Sequence, residues 1–159
     1  MSFNPISIGK VQSATVMKLQ IVKEIDVPCA EISYQWVLKN SRFLVITMHF
    51  SRVIGGYGHD LELTFSDPIA LKWEDESYDV IQLPTDLPKC SQEGFTIWTY
   101  PKLIIPDSDW ANLYAAATHT EDEYKIHQIK HFAFISMNDL LHVLSKTEPS
   151  SRLITPLDE

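Results

Sequence analysis

The chain has 159 residues, 45% of them hydrophobic, and a formal net charge of −8. A domain of that size buries about 68–70% of its unfolded surface, so its core needs neither a metal nor a disulfide. Seventeen aromatic residues exclude a disordered chain, and no run of 18 apolar residues offers a transmembrane helix.

The charge is unevenly spread. Residues 1–56 carry three acids and six bases, residues 57–93 nine acids and two bases, residues 94–159 nine acids and five bases. A nucleic-acid-binding domain shows the reverse, a basic stripe with interleaved aromatics, so no nucleic-acid partner is expected. Residues 1–10 lack a charged region followed by an apolar run, so a cytoplasmic protein without a membrane anchor is expected. Cys29 and Cys90 have no CxxC spacing and read as two reduced thiols.

In chain order, residues 1–13 have no sustained period and are expected to form a peripheral leader. Residues 16–27 fit a strand or a helix. Their β-branched residues and the Val27-Pro28 step favour the strand. From Ala30 to Leu38, Ile32, Tyr34, Trp36 and Leu38 alternate with smaller or polar residues, as on a strand with one covered face. Leu44, Ile46, Met48 and Phe50 repeat that pattern after a Lys39-Asn40-Ser41 turn. Three of the five glycines then fall in Gly55-Gly56-Tyr57-Gly58, where a reversal needs positive φ. Leu61, Leu63 and Phe65 make the next strand. After Ser66-Asp67-Pro68, Ile69, Leu71 and Trp73 make another, so the stretch reads as a β-meander in a sheet of four or five strands.

Residues 74–94 are acidic and contain Pro84 and Pro88, which predicts a loop. A strand pattern resumes at Phe95 and bends at Pro101. Asp107-Ser108 suits a helix N-cap, Asp109 the first turn, and Trp110, Leu113, Tyr114 and Ala117 follow at helical spacing. Residues 118–128 read as a polar loop and residues 130–136 as a strand. Residues 140–145 read as a returning strand or a short helix, and residues 146–159 as a peripheral, fraying tail. The fold predicted is α+β: one domain over residues 1–159, dominated by mostly antiparallel sheet, with one principal helix starting near Ser108. Leu44, Ile46, Met48, Leu63, Phe65, Leu71 and Trp73 are expected in its core, with Trp110 packed on the sheet.

Chemistry-bearing motifs are sparse. The six histidines show no HxH or HExxH spacing, and the single HxxxH pair, His127 and His131, runs from a polar loop into a strand, so no metal site is expected. His131 and His142 flank one predicted turn and can pair across it, as ordinary hydrogen-bonded sheet residues. No GxSxG elbow is present, and the glycine run lies between strands without a Lys-Ser/Thr ending, which excludes a phosphate loop. No cofactor and no catalytic residue is therefore assigned. Glu74, Asp75, Glu76 and Asp79 form an acidic cluster without the order of a calcium loop. With Tyr57 and Tyr78 they form the predicted partner-binding surface, since aromatics beside carboxylates suit a basic protein.

Phe65, Asp67, Trp73, Glu74 and Glu76, then Leu103, Ser108 and Trp110, then His131, Phe132, Val143 and Leu144, form a pattern that resembles small uncharacterised bacterial proteins. These are of the immunity-protein or orphan accessory type, and the likeness covers about the C-terminal two-thirds. The resemblance implies a non-enzymatic binding protein that neutralises a toxin domain, and the acidic charge of the chain suits a basic one. The alternatives are a small-ligand-binding module and a small hydrolase-type enzyme whose histidines and carboxylates come from separate strands. The oligomeric state is left open.

Overall fold

The computed structural model describes residues 19–50, 58–75, 99–117 and 129–155. They form two antiparallel sheets and a single short helix, the α+β arrangement expected. β2 (Cys29–Leu38), β3 (Arg42–Phe50), β4 (Asp60–Ser66) and β9 (Ser150–Ile154) form one sheet in that order. The other runs β1 (Gln20–Ile21), β6 (Lys102–Ile104), β7 (Lys130–Ile135), β8 (Asp139–Ser145), β5 (Ala70–Asp75). Helix α1 (Asp109–Ala117) lies between β6 and β7 in sequence.

Period-2 alternation places Leu44, Ile46, Met48, Leu63 and Phe65 on one face of the four-stranded sheet, all buried. Cross-strand register aligns them, with Ile46 opposite both Tyr34 and Leu63. They meet Phe132, Phe134, Leu141 and Val143 from β7 and β8 in one core. Phe65 stands edge-on to Phe132 and Phe134, with centroids 5.3 and 6.2 Å away.

The second sheet is covered on both faces. From His131 to Ile135 and from Leu140 to Ser145 every residue is buried. Leu103, Ile105, Ala133, Ile135 and Leu140 form a further cluster, and Trp110 of α1 packs near His131 and His142. Ser108 caps the helix by accepting the Ala111 N–H at 3.1 Å. Asp107 before it has φ 53°, a left-handed conformation that Asp tolerates better than most residues.

Four expectations need correction. The meander is broken, because β3 and β4 pair but β5 pairs with β8 in the other sheet. Asp67 at φ 45° and Pro68 turn the chain out of the first sheet, and the Ile69 N–H donates to the Leu144 carbonyl 2.8 Å away. Trp73 is 51% exposed because β5 is an edge strand. Its Nε1 donates to Asp139 at 2.9 Å, while Leu71 is half-buried against the core. The tail is not wholly peripheral, since residues 150–154 supply β9 and satisfy the open backbone edge of β4. The strand favoured over residues 16–27 shrinks, among residues 19–27, to Gln20 and Ile21, whereas residues 140–145 take the strand alternative already open to them. The leader 1–13, most of the acidic loop, the polar loop 118–128 and Cys90 lie outside the described residues.

Candidate functional site

Among the described residues β2 is an edge of its sheet, and its second half carries core-face side chains that are exposed. Tyr34, Trp36 and Leu38 share the face of Ile32 by strand alternation, yet they are 44%, 43% and 76% exposed. The Arg42 guanidinium lies 5.6 Å from the centroid of the Trp36 ring, and its Nη2 donates to the Pro68 carbonyl at 2.9 Å. Together they form a row of large apolar side chains with one cation on a strand whose outer backbone edge has no neighbouring strand among the described residues. The alternation was legible in the sequence, but the missing cover was not.

Of the six residues assigned to the acidic surface, Tyr57, Glu76, Tyr78 and Asp79 lie outside the described residues. Asp75 is half-buried at the end of β5, in register with Asp139. Glu74 turns inward, with its side chain 13% exposed. It shares a face with Lys72, whose Nζ lies 2.6 Å from Oε1, and its Oε2 lies 3.6 Å from Nε2 of His142. Glu74 therefore belongs to the covered outer face of the second sheet.

There a polar chain crosses the interior. The Ser108 hydroxyl is 2.7 Å from Nδ1 of His131, and Nε2 of His131 is 2.8 Å from Nδ1 of His142. Nε2 of His142 faces the Glu74 carboxylate without a hydrogen bond. The Ser108 hydroxyl donating to His131 and the His131 Nε2–H donating to His142 form a consistent chain of two hydrogen bonds, which stops short of the Glu74 carboxylate. Burial pushes the pKa of His131 down to about 3, with neighbouring His142 and Lys72 adding to the shift. Burial and Lys72 push that of His142 down to about 4. Both rings are neutral near pH 7, and Ser108 is buried. The chain ties the helix cap to the sheet.

A second polar chain lies on the outer face of the four-stranded sheet, where sequence reasoning assigned no site. Ser33 Oγ is 3.1 Å from Nε2 of His49, and Nδ1 of His49 is 2.7 Å from Oδ2 of Asp60. Cys29, on the covered side, is inert at neutral pH because burial pushes its thiol up to about 12.

Between the sheets' edges lies a cleft of about 810 Å³, with Ile25, Leu61, Ile104 and Leu153 among its apolar walls and Lys102 and Glu148 among its charged groups. Burial lowers the pKa of Lys102. Among the described residues no group of three or more His, Cys, Asp or Glu is placed to hold a metal. No described helix is long and apolar enough to cross a membrane. Comparison with protein-family models, curated proteins and solved structures found no match for this chain.

Proposed function

We propose that the protein is a binding domain for a basic protein partner, of the kind that immunity proteins provide for bacterial toxin domains. The observation that carries this reading is the exposed row Tyr34, Trp36 and Leu38 beside Arg42. Trp, Tyr and Arg are the side chains that most often dominate binding energy at interfaces. The net charge of −8 adds long-range attraction for a cationic partner, and so a faster encounter. The steering comes from the whole chain and the anchoring from the strip.

The test is affinity capture from the native host with the wild-type protein and with a Tyr34→Ala/Trp36→Ala double variant, at two salt concentrations. A basic protein should be retained by the wild type, less at high salt, and lost from the double variant. A partner held equally by both proteins would remove the strip from the reading.

The cleft favours a second reading, in which an amphipathic small molecule with an anionic end lies along the apolar walls and meets Lys102. Displacement of a fluorescent fatty acid should then be at least about tenfold weaker in Lys102→Met. Binding unchanged by that substitution would count against it.

A further inference from the structure

Ser33, His49 and Asp60 lie on β2, β3 and β4, three adjacent strands of one sheet. Register brings them together: Ser33 is opposite Thr47, two residues from His49, and Leu61 is opposite Met48, which sets Asp60 beside His49. The connectivity is directional. Asp60 accepts at Nδ1, which fixes the proton there and leaves the Nε2 lone pair for the serine hydroxyl. Access is graded along the same line. Asp60 is buried, with the Phe50 N–H 3.4 Å from its Oδ1, the His49 side chain is 39% exposed, and Ser33 is exposed. A chain serving only to satisfy surface groups has no need of a buried carboxylate, which is costly to desolvate. A hydroxyl activated by an oriented base needs this order of acid, imidazole and accessible oxygen.

We propose that Ser33, His49 and Asp60 form an acyl-transfer site for small esters, open on the outer face of the four-stranded sheet. Ser33 Oγ attacks the acyl carbon while its proton passes to Nε2 of His49. The C–O bond to the leaving group breaks, and the alcohol departs with that proton. Water, deprotonated by His49, then attacks the acyl-serine; the acid leaves, and Ser33 regains its proton. Asp60 is a positioning residue, holding the imidazole tautomer and its charged form in the transition state. The site faces away from the Tyr34–Trp36 row, because successive residues of β2 point to opposite faces. Variants at Ser33 and His49 therefore leave the proposed partner surface in place, and the two readings fail separately.

The test treats the full chain with a small fluorophosphonate, maps the adduct by peptide mass spectrometry, and follows p-nitrophenyl acetate hydrolysis. One adduct per chain is expected on Ser33, and none there in Ser33→Ala. The labelling rate and the hydrolysis rate should both fall at least about tenfold in His49→Gln, since a positioned base contributes ~10²–10⁴. Asp60→Asn should lower kcat and leave KM unchanged. The first arm uses the unaltered protein, so a misfolded variant cannot mask the answer. An unlabelled Ser33, or Ser33 labelled as fast in His49→Gln as in the wild type, would overturn the proposal. An unchanged kcat in Asp60→Asn would also overturn it, because the triad would then lack its acid.

Discussion

The two sheets handle the same residue type in opposite ways. β7 and β8 are covered on both faces, so His131 and His142 are shut inside, neutral and hydrogen-bonded to each other. β3 is covered on one face only, so His49 stays half-open and is oriented by a buried carboxylate. A histidine sealed between layers can brace a fold, whereas one on an open face can exchange protons with a substrate or with water. Position in the layers, and not local sequence, separates these two enclosed imidazoles from the partly exposed ring of His49.

The comparison can be broken first at the shared core. Phe65→Ala removes the ring that stands edge-on to two phenylalanines of the other sheet and should cost about 3–5 kcal/mol. Chemical denaturation measures it, and a loss below about 1 kcal/mol would mean that the sheets do not share one core.

Acid should sharpen the comparison next. The folded state holds His131 and His142 at depressed pKa values near 3 and 4, while the unfolded chain protonates them near the ordinary imidazole value of 6.5. Below that pH the unfolded chain binds more protons, so stability is full above about 6.5 and falls with pH toward the folded values. The slope reaches about 1.4 kcal/mol per pH unit for each histidine. Replacing both with Gln should flatten the profile between pH 6 and pH 4. An unchanged slope would place the acid sensitivity elsewhere.

Trp36→Ala should change stability by no more than about 1 kcal/mol, the scale of an exposed cation–π contact, although it removes a large ring. A thermal melt tests this, and a large loss would show the strip to be core. Smallest of all is the ion pair between Arg152 and Glu62, 2.6 Å long on the open face. Arg152 is fully exposed, so Arg152→Ala should leave the melting midpoint unchanged.

Strand character was legible residue by residue, because a covered face imposes period 2 on local sequence. Leu44, Ile46, Met48, Leu63 and Phe65 were all readable as core for that reason. The helix was legible from the cap at Ser108 and the spacing after it, both local as well. Pairing is not local. Nothing between Ile69 and Trp73 says that their strand leaves β4 for β8, a partner about seventy residues away, and only the turn at Asp67 hints at it.

Cover is not local either. The same alternation runs through Ile32, Tyr34 and Trp36, and tertiary packing alone decides that the first is buried while the others face solvent. The row Ser33, His49, Asp60 follows from strand registers that could be counted across the turn at residues 39–41 but not across the longer connection at residues 51–59. Burial of Glu74 follows from its place beside His142 on the outer face of β5's sheet, where Trp110 of the helix packs, which no stretch of acidic sequence announces. Sequence determines what each segment can bury. The packing of distant segments determines what it does bury, because a contact's free energy depends on both partners.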